Sequence, residues 1–526
     1  MSQLRSIGGL TFVNAVGLGV TVLDSIVTAQ CFGTTAPMSN YFAAITVLMI
    51  VQKIFMVGQF SDVFLPQYVK IRETEGSEKA DRCFSALFNH IMLALMFAGV
   101  VFVVTASSMA KLIAPGFSPE AQVQVAWFSI GLIPGVLLTV ANGHLYIVGN
   151  ARGWYSRFAI YGVLGNALGL VAMVATARWV GVWAVVLSQN VTQVVMLWGS
   201  LRYLSRNGYR HAWILREPGF STWSVTARVG VTAIYVLATQ WYVIGFNAAL
   251  TYLPNGALAV YKYAELLYVK SGSLFMRPVS VVFFTDASVL AHRDPGQLRA
   301  RISHALYHYA LLFAAMVAVL LPAIPNLLGA LWGGANYSKA DIVQTVYYVS
   351  CLYGLLIVDF TGQTYRRLNM VVGDVLPQYL AMSVAQVLSG FAAPWIVHHL
   401  QVNGVPVVLV FNVSALFLSA IFVHACRPQW QLAFFPRQTW KLIVAAVLSL
   451  SMAWLMPSWL PWLQYAGDIS LSGKILELMK SALMGGLGLS LLLGAVFLLK
   501  VEEAHAAWRW VREFLQQKWN GLKATG

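Results

Sequence analysis

The chain alternates long apolar runs with short polar stretches. Fourteen runs, at 10–30, 41–64, 86–106, 121–148, 158–177, 182–204, 226–252, 257–284, 302–331, 342–364, 376–400, 405–424, 441–462 and 480–499, are each long enough to cross a bilayer as a helix, which takes about 20 apolar residues. The runs are continuous rather than alternating, so the pattern predicts helices and not the strands of a membrane barrel. The fold class read from it is an all-α polytopic membrane protein with about 14 transmembrane helices. The first run is long and lacks a small-residue cleavage site, so it reads as a first span and not as a removed signal peptide.

Composition agrees. The chain is 59% hydrophobic and 10% charged, with mean hydropathy +0.69, where a soluble chain carries about 25% charged residues. The net charge of +15 raises nucleic acid as a partner, but the placement of the cations argues against it. Most Lys and Arg fall in the N-terminus, the even-numbered loops and the C-terminus. The odd-numbered loops carry only Lys111, Arg178, Lys339, Lys474 and Lys480. Under the positive-inside rule both termini are then cytoplasmic, and an even number of crossings returns the chain to its starting side. The surplus charge also favours anionic membrane lipid. Cys31, Cys83, Cys351 and Cys426 have no metal or redox spacing.

The polar loop 205–223, which contains Pro218-Gly219, is the best candidate linker. A repeat at an offset of 219 residues supports a division there. It pairs Phe64 with Phe283, Ala86 with Ala305, Leu87 with Leu306, Leu112 with Leu331, Gly135 with Gly354, Gly143 with Gly362 and Tyr146 with Tyr365. Six spans separate the equivalents, which predicts two six-helix lobes of like orientation in a parallel pseudo-twofold repeat. The expected organisation is an N-lobe at 1–204, a linker at 205–223, a C-lobe at 224–424, two further helices within 425–499, and an amphipathic helix at 500–526 lying on the membrane surface. Gly58, Gly135 and Gly354 are candidates for close helix approach or bending.

Charges inside spans are the candidate chemistry, because each costs about 2.5–3.5 kcal/mol at the bilayer centre unless it faces a cavity or a partner. The second span holds Lys53 and Asp62, the seventh begins at Arg228, and the eighth carries Lys262, Glu265, Lys270 and Arg277. Asp24 lies in the first span and Asp359 in the tenth. Ion pairing of Lys262 with Glu265, or snorkelling of Arg228 and Arg277 at span ends, accounts for single residues. As a set, Lys53, Arg228, Lys262, Lys270 and Arg277 suit a cationic cavity for an anionic group such as phosphate, with Asp24 and Glu265 as charge balance or coupling sites. His304 and His308 lack the glutamate of an HExxH metal motif. No phosphate-binding loop, nucleophile elbow or dinucleotide fingerprint is present, so the chain reads as a transporter without catalytic residues, metal or cofactor.

Several stretches carry a family resemblance. The segment 24–66 holds Phe32-Gly33, Phe42, Ile54-Phe55, Gly58, Phe60-Ser61, Phe64 and Pro66. Further on come Ala114-Pro115-Gly116-Phe117, the run KYAELLYVKSGSLF at 262–275, and Gly373-Asp374 with Pro377. In order and spacing these resemble the MurJ (MviN) lipid II flippase family of the multidrug/oligosaccharidyl-lipid/polysaccharide exporter superfamily, over nearly the whole chain. The resemblance implies a multi-pass protein of the bacterial inner membrane. Its lobes would flip an undecaprenyl-pyrophosphate-linked saccharide, lipid II or a related surface-glycan precursor, by alternating access. A final helix pair would guide the lipid tail, and the drive would be membrane potential, Na+ or H+. Family arginines of the first, second and eighth helices are matched here by Gly17, Leu23, Gln52, Lys53 and Leu266, and acidic family positions by Asn40 and Val57. Lys53, Arg228, Lys262, Lys270 and Arg277 would then form a displaced binding set. Rival expectations are an ion-coupled exporter of small amphiphilic compounds and a non-transporting scaffold for glycan-assembly enzymes.

Overall fold

The computed structural model describes residues 2–55, 57–254, 256–272, 295–371, 376–426, 439–467 and 469–499. Arg277 and the predicted surface helix at 500–526 lie outside them. The first half of the chain forms α1 (Ser2–Cys31), α2 (Ala36–Ile54), α3 (Val57–Glu75), α4 (Ser77–Ile113), α5 (Pro119–Ala151), α6 (Tyr155–Val180) and α7 (Trp183–Arg206). The second forms α8 (Thr222–Leu250), α9 (Ala257–Ser271), α10 (Pro295–Trp332), α11 (Lys339–Val371), α12 (Leu376–Leu400) and α13 (Gly404–Ala425). Two more helices follow, α14 (Thr439–Trp459) and α15 (Leu471–Leu498). Among the described residues nine helical stretches are long and apolar enough to cross a membrane, and Ala15–Cys31 and Thr439–Ala453 are shorter apolar helices. The protein is an all-α polytopic membrane protein.

Helix ends follow local chemistry. Ser118 caps α5 by accepting the amide of Ala121 at 3.3 Å, with Pro119 in the first turn. Ser470 does the same for α15 through the amide of Gly473 at 3.0 Å. The apolar run at 41–64 forms two helices, since α2 ends at Ile54 and α3 begins at Val57. Gln52-Lys53 and Gly58-Gln59 flank the interruption. Polar residues and glycine weaken helical continuity there, and interrupted spans of this kind recur where transporters bind their cargo. The tenth run is longer than its hydropathy suggests: α11 continues helically through the polar Tyr365-Arg366-Arg367 stretch to Val371.

The helix boundaries repeat. Shifting α1, α2, α4, α5, α6 and α7 by 219 residues lands within two residues of the ends of α8, α9, α10, α11, α12 and α13. This agreement of helix ends is independent of the sparse residue identities.

The structure divides into two compact units, Met1–Lys262 with Tyr379–Asn412, and Tyr263–Gln378 with Val413–Gly526. In the first, the apolar stretch of α4 has two faces. Leu87 and Leu95 are buried, whereas Phe97 and Val104 are 72% and 79% exposed. That outward face is the one a bilayer would cover. Apolar burial drives little association in lipid, so close backbone approach and internal hydrogen bonds hold such a bundle. Gly165 and Gly169, one turn apart on α6, show this: a Cβ on Gly165 would lie 2.6 Å from the carbonyl oxygen of Thr192 on α7.

At one end of the first unit a polar clasp ties four elements together. Arg152 donates to both carboxylate oxygens of Asp81 at 2.6 and 2.7 Å, and Tyr68 donates to the same carboxylate at 2.6 Å. The loop 205–223 is pinned on α4. Asn89 donates to the carbonyls of Ala212 and Ile214, and the amide of Ala212 donates to Ser85. Arg82 pairs with Glu217 at 2.9 Å. His211 fits between Asn89 and Tyr209. Because the Asn89 amide nitrogen is already donating, its oxygen accepts from His211 Nε2–H, and Nδ1 accepts from Tyr209. Burial holds this imidazole below its ordinary pKa.

In the second unit, α10 packs on α14 and α15 through Ala310, Ala314 and Ala318 against Leu442, Ala445, Ala446, Leu492 and Val496. Lys480, counted from sequence as a loop cation, is instead a buried residue of α15. It donates to Glu477 at 3.0 Å and to the carbonyl of Gln464 at 3.1 Å. Its burial needs that carboxylate partner.

Candidate functional site

Within the first unit α2, α5 and α7 enclose a cleft of about 150 Å³. Ile45, Leu48, Met49 and Gln52 come from α2. Leu132, Gly135, Val136 and Thr139 come from α5, and Gln189 and Gln193 from α7. Gly135 lies near the middle of α5, and Gln52 near the C-terminal end of α2. Pro134 stands beside Gly135 inside α5, so it supplies no amide hydrogen to the carbonyl one turn earlier.

The polar groups of the cleft are neutral. Asn142 donates to the side-chain oxygen of Gln193 at 3.0 Å and to its carbonyl at 3.1 Å. Asn190 donates to the carbonyls of Gly131 and Val186, both at 2.9 Å. The Asn190 Oδ1 is buried without a hydrogen-bond partner and lies 3.0 Å from where a Cβ on Gly135 would sit. Among the described residues the half-buried amides of Gln52 and Gln189 make no hydrogen bond.

The second unit carries a charged counterpart. Asp359 on α11 accepts from Tyr268 of α9 at 3.0 Å and from Gln363 at 2.9 Å, and it pairs with Arg366 at 3.3 Å. Both charged side chains are largely buried, at 18% and 11% exposure. Every ionic group in this cluster has its partner.

The sequence-predicted residues are dispersed among these features. Lys53 follows Gln52 in the last turn of α2 and is exposed. Lys262 lies in the first unit, half-buried, with its ammonium 5.8 Å from the Tyr261 ring centre. Glu265 and Lys270 follow on α9 in the second unit, also half-buried. Asp24 is half-buried on α1. Arg228 lies on α8 and Gly58 on α3, with side-chain surroundings outside the described set. Gly135 lines the cleft, while a Cβ at Gly354 would meet open space. His304 and His308 stack at 5.3 Å on α10, and among the described residues no acidic or cysteine partners join them as a metal site.

Sequence reasoning missed the amides. It ranked residues by charge, and Gln189-Asn190 with Gln193 are neutral. Their spacing along one apolar run was the available signal. It also missed Arg366, because the apolar run ends before it. The seven-residue step from Asp359 places both within about 20° of one helix face.

Long apolar helices around an uncharged cleft are the architecture of a membrane transporter. The family model described as lipid II flippase MurJ matches residues 28–464, and the chain belongs to that family. Among solved structures it is similar to "Lipid II flippase MurJ, inward closed conformation", at 13% identity and TM-score 0.72, covering 94% of this chain and all of that one. It is also similar to an inward-facing multidrug resistance MATE family transporter of the MOP superfamily, at 15% identity and TM-score 0.62, over 77% of this chain and 93% of that one. A MOP superfamily transporter from Pyrococcus furiosus matches at 18% identity and TM-score 0.54, over 80% and 94% of the two chains.

Proposed function

We propose that this chain flips an undecaprenyl-pyrophosphate-linked saccharide, lipid II or a related surface-glycan precursor, from the cytoplasmic to the outer leaflet by alternating access. The observation that carries the reading is the family match across residues 28–464. The repeat of helix boundaries at an offset of 219 residues supports two six-helix lobes, at 1–204 and 224–424. In this reading fourteen spans cross the inner membrane, both termini are cytoplasmic, and α14 and α15 guide the lipid tail.

Lys53, Arg228, Lys262, Lys270 and Arg277 attract the pyrophosphate, and Asp24 and Glu265 balance charge or take up a coupling ion. An inside-negative potential favours outward movement of an anion by about 2.3 kcal/mol per charge per 100 mV, so transport needs no nucleotide. Flipping that stays unchanged when the potential is collapsed would remove the voltage part of this reading.

Expression in cells depleted of their only lipid II flippase tests the substrate. Restored exposure of lipid II on the outer face identifies it as cargo. Failure with the protein present in the membrane points to another lipid-linked glycan. Replacing Lys53, Lys262 and Lys270 together by glutamine should abolish transport without loss of membrane insertion, and full activity would reject the cationic assignment.

A further inference from the structure

We propose that the cleft between α2, α5 and α7 binds an uncharged, hydroxyl- or acetamido-bearing group, namely one sugar ring of the lipid-linked cargo, apart from the cations assigned to its pyrophosphate. The inference rests on the flippase reading and adds a second point of recognition to it.

The chemistry of the lining carries the argument. A polar side chain in a membrane span is costly unless it is satisfied. Asn142 and Gln193 satisfy part of each other, and Asn190 spends its amide hydrogens on the carbonyls of Gly131 and Val186. Capacity is nonetheless left over at one place. Gln52 and Gln189 both line the cleft and engage nothing among the described residues. Thr139 also lines the cleft, and its hydroxyl, which donates to the Gly135 carbonyl at 2.7 Å, can still accept a hydrogen bond. Carboxamides offer donors and acceptors together and carry no charge, which is the complement of a hydroxyl or an acetamido group.

Neutrality selects against the other ligands. None of the lining residues is basic, so a pyrophosphate would enter without a counter-charge. None is acidic, so a metal cation would be buried without compensation, at large cost in a low-dielectric site. The cleft is small, about 150 Å³, which suits one ring rather than a whole glycan. Aliphatic side chains of α2 and α5 complete the lining and suit the C–H face of such a ring.

The second half of the chain shows that this is a feature of the site and not of the helix pair. With the offset of 219 residues, Met49 of the cleft corresponds to Tyr268, and the buried Val140 beside Thr139 corresponds to Asp359. The equivalent helices there hold a charged cluster whose members satisfy one another.

The test uses the full chain in lipid nanodiscs. Two probes are compared, undecaprenyl pyrophosphate and undecaprenyl-pyrophosphate-N-acetylglucosamine. Wild type should prefer the saccharide-bearing lipid. Gln52→Leu with Gln189→Leu should lose about tenfold for it and keep its affinity for the bare pyrophosphate lipid. Thr139→Val, a gentler change, should lose severalfold in the same direction. Equal loss for both lipids, or unchanged discrimination in a double variant that melts like wild type, overturns the proposal and leaves the flippase reading standing. Wild type binding neither lipid overturns both. A sodium-dependent rise in melting temperature that the double variant loses, without saccharide discrimination, replaces the sugar site with a cation site.

Discussion

Corresponding helices in the two halves of the chain have taken opposite solutions to polarity in a membrane. Between α2 and α5, with α7, the polar side chains are neutral amides, and part of their hydrogen-bonding capacity is open to a cleft. Between α9 and α11 they are charged, and Asp359 is enclosed by Tyr268, Gln363 and Arg366. A satisfied cluster holds helices together and resists change, since removing one partner strands the others. An unsatisfied one contributes little to the fold and is available to a ligand. In a membrane span, unused hydrogen-bonding capacity marks function more clearly than charge does.

Substitutions can break that contrast. The largest loss should come from Asp81→Ala in the clasp, where Arg152 and Asp81 are 11% and 6% exposed. Stranding a buried arginine costs about 3–5 kcal/mol, which thermal unfolding in detergent would register as a large fall in melting temperature. Asp359→Asn should cost less, about 1–3 kcal/mol, because Tyr268 and Gln363 still find an oxygen there and Arg366 loses a single 3.3 Å contact rather than the paired short bonds of the clasp.

A smaller effect is expected from pH at His211. Burial lowers the folded-state pKa of its imidazole from 6.5. The opened loop therefore binds a proton at higher pH than the folded one, and the clasp is most stable above about pH 6.5. Stability should fall as pH drops through that value and level off below the depressed folded pKa. Protease cleavage within 205–223 at pH 7.5 and 5.5 would show it, and His211→Gln should flatten the difference. The smallest change in stability belongs to Gln52→Leu with Gln189→Leu, within about 1 kcal/mol. A melting temperature that falls as far as that of Asp81→Ala would mean that these amides hold the fold, and the contrast would fail.

Hydropathy made the helices legible, because a helix that crosses lipid must keep an apolar run of fixed minimum length. It could not show where helices break or extend within or beyond such runs. The interruption after Ile54 lies in a run that averages apolar, and the last two turns of α11 lie in one that averages polar. The loop at 205–223 read as a linker because it is polar. Its anchoring on α4 depends on Asn89 meeting carbonyls more than 120 residues away, and such pairs leave no local trace. In the candidate site, Lys53, Lys262, Lys270, Asp24 and Glu265 were found by charge alone. Gln52 was noticed only as a substituted family arginine, and Thr139, Gln189 and Gln193 were hidden by their neutrality.

Flipping by the purified chain tests the central claim most directly. The protein would be reconstituted into vesicles containing fluorescent undecaprenyl-pyrophosphate-linked saccharide, and access of that lipid to a membrane-impermeant quencher would be followed with and without an imposed potential. The account predicts that vesicles containing the protein expose the inner-leaflet pool and that empty vesicles do not, with faster exposure when the potential drives the anion toward the quencher. Equal exposure in both kinds of vesicle, with the protein folded and inserted, would contradict it.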